Sequence, residues 1–179
     1  LPGIDVGNHS FPVIHDFNND GKTDLLVGCE IGTLWLFEDT SSTNLKEYKR
    51  IDSFISNIKT GSQYSYFSYG VPYVGSVDSS NKEYLLVGTI DGTIERYDNF
   101  MNQHTNWVRK DSTMADIQTA YRAAPAIADL DGDQRPELLI GNQNGGLRLF
   151  QFEKNTSTNI SNVFAGNKLN IKIFPNPVN

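Results

Sequence analysis

Residues 12–37, 72–97 and 125–150 carry the same frame three times without a gap, and nothing else in the chain narrows its fold as much. Written out, the copies are PVIHDFNNDGKTDLLVGCEIGTLWLF, PYVGSVDSSNKEYLLVGTIDGTIERY and PAIADLDGDQRPELLIGNQNGGLRLF. Each opens on a proline and a short apolar run, crosses a polar loop, continues as a second apolar run, turns near a glycine and ends on a third run. A unit this small cannot bury its own apolar face, so repeats of this kind stack and share a core.

The opening prolines lie 60 and then 53 residues apart. That spacing falls near the roughly 40–50 residues of a four-stranded propeller blade. Leu25-Leu26-Val27 is an unbroken apolar run, as expected of a strand covered on both faces. Gly32-Thr33 and Asp91-Gly92 read as hairpin turns, and a fourth strand of the first repeat is expected around Tyr48 to Phe54. The predicted fold class is therefore all-β, with three four-stranded β-propeller blades in residues 1–154, a polar linker over 155–167 and a separate segment over 168–179. Rings of this kind close with about 4–8 blades, so further blades or a second chain are expected to complete one. The opening LPGIDVG, with neither Met nor a signal-like apolar segment, reads as an excerpt from a longer precursor.

Composition agrees with strands and turns. Eight Tyr and ten Phe, among many Gly, Ser, Thr and Asn, favour sheets over helices. The net charge of −6, with Lys and Arg scattered, gives no basic footprint for nucleic acid. The single cysteine, Cys29, excludes an intrachain disulfide and reads as a buried apolar residue. Two stretches are less regular. The Tyr-rich connection 55–71 is read as packing Tyr64, Tyr66, Phe67 and Tyr69 between blades, and DSTMADIQTAYRAA, from Asp111, is compatible with a helical turn or two.

The polar loops carry the chemistry. In the first repeat Asp16, Asn18, Asp20 and Asp24 occupy positions 1, 3, 5 and 9, and in the third the same positions hold Asp129, Asp131, Asp133 and Glu137. Alternate residues of a tight loop turn their side chains to one point, and the backbone carbonyl at position 7, from Lys22 or Arg135, adds another oxygen. Such a set suits Ca²⁺, which takes about 6–8 oxygens in irregular geometry, better than octahedral Mg²⁺. Position 12 is Val27 or Ile140 rather than a bidentate Glu, so the loops are not EF-hands. Gly21 supplies the bend at position 6, whereas the third loop has Gln134 there and its glycine earlier, at Gly132. The second loop, 76–84, has Ser76, Asp78, Ser80 and Tyr84 in the ligand positions, so two Ca²⁺ sites are predicted and none in the second repeat.

PVIHDFNNDGKTDLLVG and PAIADLDGDQRPELLIG, followed by GTLWLF and GGLRLF, resemble the FG-GAP or VCBS family of calcium-binding β-propeller repeats. The family resemblance implies that the calcium loop joins the first two strands of each blade. The tail KIFPNPVN, Lys172 to Asn179, is similar to the start of the C-terminal sorting domain of type IX secretion cargo. That second resemblance implies an exported protein, secreted or on a bacterial cell surface, whose precursor meets outer-membrane secretion machinery. Asp111-Ser112-Thr113 resembles the O-glycosylation signal of such bacteria, which would place a glycan on Ser112.

No catalytic residue is assigned. His9, His15 and His104 show no shared grouping in sequence, His15 reads as a structural histidine, and the conspicuous carboxylates belong to the metal loops, where coordination occupies the lone pairs a general base needs. The expected function is a noncatalytic, calcium-stabilised module for adhesion or for binding a glycan or protein ligand. The alternative is the ancillary propeller of a secreted polysaccharide hydrolase or lyase whose catalytic domain lies upstream.

Overall fold

The structure, a computed structural model, describes residues 3–61, 66–76, 82–101, 105–151 and 170–172. It is all-β, with three antiparallel sheets, one for each repeat. The first contains β1 (Phe11–His15), β2 (Asp24–Gly28), β3 (Leu34–Asp39) and β4 (Tyr48–Asp52) in that order. The second contains β5 (Val71–Ser76), β6 (Glu83–Gly88), β7 (Ile94–Asp98) and β8 (Val108–Asp111). The third contains β9 (Ala124–Ala128), β10 (Glu137–Gly141) and β11 (Leu147–Gln151), with β12 (Asn170–Lys172) paired to β11.

The repeat fixes the register. Pro12 stands opposite Val27, Pro72 opposite Val87 and Pro125 opposite Ile140, so each opening proline has the same partner position. Both complete outer pairs shift register at an equivalent place, between Leu36 and Phe37 and between Arg96 and Tyr97. The tail segment set apart at residue 168 contributes β12 to the third sheet, where β4 and β8 stand in the other two. The expected linker, 155–167, and residues 173–179 lie outside the described residues.

Strand alternation gives each sheet two apolar faces, and neighbouring sheets bury them against one another. Phe17, Leu26, Leu34 and Leu36 of the first repeat pack with Leu85, Val87, Tyr97, Phe100 and Trp107 of the second. On the other side of the second sheet, Tyr84, Leu86 and Ile94 pack with Leu138, Ile140 and Phe150 of the third. β1 touches β5 and β5 touches β9, so the first strands of the sheets adjoin. His15 helps join the first two sheets, with its ring 5.2 Å from that of Phe17 and its Nε2 3.2 Å from Glu83. Cys29 is buried, with Sγ 3.3 Å from the Thr33 hydroxyl.

One expectation is met in part and another changes. The stretch from Asp111 to Ala124 contains the end of β8 and a single helical turn, of 3-10 type, at Met114–Asp116. It is held extended afterwards because Thr119 N–H donates to Gly92 O at 2.8 Å, tying the segment to a hairpin. In the Tyr-rich connection Tyr69 is buried, but Tyr66 and Phe67 are exposed and meet edge-on, 5.0 Å between ring centres. Tyr64 lies outside the described residues.

Candidate metal centres

Both acidic loops join the first two strands of a sheet, the first between β1 and β2 and the third between β9 and β10. Their backbones share a construction. Positions 4 and 6 are left-handed in each, Asn19 (φ 58°) and Gly21 (φ 82°) in the first, Gly132 (φ 78°) and Gln134 (φ 67°) in the third. Thus the glycine changes place while the conformation does not. Around each bend the carboxylate at position 1 accepts the N–H of position 6, Asp16 from Gly21 and Asp129 from Gln134, both at 2.9 Å. The carboxylate at position 5 accepts the N–H of position 7, Asp20 from Lys22 and Asp133 from Arg135, both at 2.8 Å. These bonds hold the bend.

Position 9 closes the loop from below. Asp24 and Glu137 each begin a strand, and both are buried. Each accepts the N–H of position 2, from Phe17 at 3.0 Å and from Leu130 at 2.9 Å. The second carboxylate oxygen differs in its partner. Asp24 takes the backbone N–H of Asp39 at 3.0 Å, while the longer Glu137 reaches the side-chain amide of Gln151 at 3.3 Å. Burial pushes the Asp24 carboxyl above its ordinary range despite these N–H bonds. Asp133 lies below its ordinary range, because the Arg135 N–H and guanidinium together outweigh the opposing desolvation.

In the third loop Asp129, Asp131 and Glu137 each place a carboxylate oxygen within 4.8 Å of the others, a separation that one cation can span. Asp133 is not among these three and is ion-paired with Arg135. In the first loop Asn18 replaces the middle acid, and Asp16, Asp20 and Asp24 form no such three-carboxylate group among the described residues. Lys22 and Arg135 follow the bend, with their N–H groups turned to the position-5 acids. In the second loop residues 77–81, including Asp78 and Ser80, lie outside the described residues. Tyr84, at its ninth position, is buried in the core between the second and third sheets. Ser112 is exposed, at the turn after β8.

Two other buried carboxylates, Glu95 and Asp39, are internally matched. Glu95 accepts from the Tyr97 hydroxyl at 2.5 Å and from Arg109 at 3.1 Å, and desolvation pushes its carboxyl up. Asp39, bonded to Lys46 and Ser41, is held well below the ordinary carboxylate range. Sequence reasoning missed one further polar group, at His9, Glu30, Tyr69 and Arg122. The aligned repeats contain its signal, because His9, Tyr69 and Arg122 occupy one repeat position. No protein-family model, curated protein or solved structure matches the chain.

Proposed function

We propose that the three sheets are blades of a calcium-stabilised β-propeller of the FG-GAP or VCBS kind, serving as a noncatalytic binding module of an exported protein. One observation carries the metal reading. The same loop, with the same two left-handed positions and the same bonds from positions 1, 5 and 9, recurs 113 residues apart (129 − 16). In the third repeat that loop gathers three carboxylates, which repel one another unless a cation or protons intervene. Ca²⁺ is the ion whose coordination number and tolerance of irregular geometry suit a loop of carboxylates, an amide and a backbone carbonyl. The ion would be held by Asp129, Asp131, Asp133, Glu137 and the Arg135 carbonyl in one loop, and by Asp16, Asn18, Asp20, Asp24 and the Lys22 carbonyl in the other.

Calcium here would brace the turn between two strands, and the ligand would be bound elsewhere on the sheets. A cation that binds only the folded chain stabilises it by RT ln(1 + [L]/Kd), about 2.7 kcal/mol per site at a hundredfold excess over Kd. The test is thermal unfolding in Ca²⁺, in Mg²⁺ and in chelator, on the native chain and on Asp129→Asn and Asp16→Asn. The midpoint should rise with Ca²⁺ and respond less to Mg²⁺, and each variant should lose part of the rise. An unchanged midpoint in Ca²⁺ against chelator defeats the reading.

A further inference from the structure

His9, Tyr69 and Arg122 hold one repeat position, two residues before β1, β5 and β9 respectively. All three are left-handed, at φ 55°, 48° and 61°. A bulky side chain in that region is strained relative to glycine, and strain of this kind persists where surrounding structure imposes it, often at binding sites. Here it recurs in three successive repeats with three different polar side chains.

Those side chains converge. The Arg122 guanidinium lies over the Tyr69 ring, 4.1 Å from its centre, and the His9 ring centre is 5.1 Å from that of Tyr69. Arg122 Nη2 donates to the Tyr69 hydroxyl at 2.6 Å, and that hydroxyl donates to Glu30 Oε1 at 3.3 Å. His9 Nε2 stands 3.5 Å from the same oxygen, and Asn8 donates to the other at 3.0 Å. Glu30 therefore has its donors. Arg122 has no ion-pair partner among the described residues, and its buried Nε has no hydrogen-bond partner there. The result is a cation fixed flat on an aromatic ring, with its orientation set and its nearest carboxylate among the described residues, Glu30, reached only through the Tyr69 hydroxyl rather than by a direct ion pair.

The group reaches the surface, with Arg122 itself half-buried. His9 is about half exposed, at 48%, and Tyr121, next to Arg122, is 64% exposed. It stands at the start of β1, whereas the first acidic loop follows the end of that strand, so the two sites occupy opposite ends of the sheet. We infer that His9, Tyr69, Arg122 and Tyr121 form a binding site for an acidic saccharide. Arg122 pairs with the sugar carboxylate, Tyr121 offers an exposed ring to the apolar face of the pyranose, and His9 and Asn8 meet hydroxyl groups. Arginine matches a carboxylate in planar geometry, and aromatic rings supply large contact area at small conformational cost. The inference rests on the binding-module reading and names its ligand class.

The experiment is a calorimetric titration of the full chain, in constant excess Ca²⁺, with trigalacturonate, its methyl ester, neutral trigalactose, acetate and inorganic sulfate. Trigalacturonate should bind one to one, with the ester and the neutral sugar at least about tenfold weaker. Arg122→Gln should weaken it by about tenfold or more, and Tyr121→Ala, at an exposed position, should weaken it without changing the unfolding midpoint. Equal binding of the neutral sugar overturns the carboxylate assignment. Binding of acetate or sulfate as tight as trigalacturonate overturns the saccharide assignment, and so does an unchanged affinity in Tyr121→Ala. Trigalacturonate binding that both variants leave intact overturns the site while the module reading stands, and no trigalacturonate binding by a chain that Ca²⁺ does stabilise overturns the ligand class alone.

Discussion

The first and third sheets present the same apolar face in opposite circumstances. Phe17, Leu26, Leu34 and Leu36 are buried under the second sheet, whereas their repeat equivalents, Leu130, Leu139, Leu147 and Leu149, line an open groove of about 450 Å³. Leu34 is 0% exposed and Leu147 is 66% exposed. The residues are as apolar as their sisters, so the difference lies in what covers them. A face built to this pattern and left open suits the proposed propeller, in which another blade would take the place that the second sheet takes on the first.

The glycines that end the second strands draw the contrast most sharply. A Cβ on Gly28 would stand 1.8 Å from Gly70 O, and one on Gly88 would stand 2.0 Å from Ala123 O. In both places the next repeat passes directly over the glycine. At Gly141 the nearest atom would be Leu147 Cδ2, at an ordinary 3.7 Å. Gly28→Ala and Gly88→Ala should each destabilise the chain by about 2–4 kcal/mol, because backbone must move. Gly141→Ala should change stability by less than about 1 kcal/mol in this chain. Urea unfolding of the three variants measures the difference, and equal costs would break the comparison. Repeated in a longer protein that supplies a covering sheet, the Gly141 substitution should become as costly as the other two.

Core truncation should give an effect of the same size. Leu34→Ala removes a side chain that is wholly buried between two sheets and should cost about 2–5 kcal/mol. Leu147→Ala removes an equivalent side chain from water-facing surface and should cost less than about 1 kcal/mol. Denaturant midpoints at constant m decide it. A large loss at Leu147 would mean that the open face is covered in solution, which sedimentation of the same sample would reveal as association.

Much of this architecture was legible because the repeat ties three stretches to one register. Once Pro12, Pro72 and Pro125 are aligned, the strand pairs, the hairpins and the acidic loops fall into place together. The positions of Asp24 and Glu137 at the base of their loops follow from the same alignment. What could not be read depends on tertiary contact. DSTMADIQTAYRAA is compatible with a helical turn or two and makes one at Met114–Asp116, but where that turn ends depends on Thr119 bonding to a hairpin remote in sequence. Tyr66 and Phe67 are apolar enough for the core, but only contact decides that, of the three described, Tyr69 is the one buried. The shared position of His9, Tyr69 and Arg122 was visible in the alignment, but three unlike side chains gave no pattern until their common backbone conformation showed one.

The two acidic loops provide the smallest and most discriminating test. Left-handed backbone is required at position 6 in both, and only the first loop meets it with glycine. A Cβ at Gly21 would touch nothing within 4 Å, so any cost there is conformational rather than a clash. Gly21→Ala should therefore destabilise by about 1–2 kcal/mol. Gln134→Gly should act with the opposite sign, stabilising by up to about 1 kcal/mol, since relief of backbone strain is offset in part by the greater freedom of glycine in the unfolded chain. Thermal unfolding in chelator isolates these terms from any bound cation. If Gln134→Gly proves destabilising, the glutamine side chain is holding the bend by contacts of its own. The third loop would then reach the shared conformation by a different balance of forces from the first.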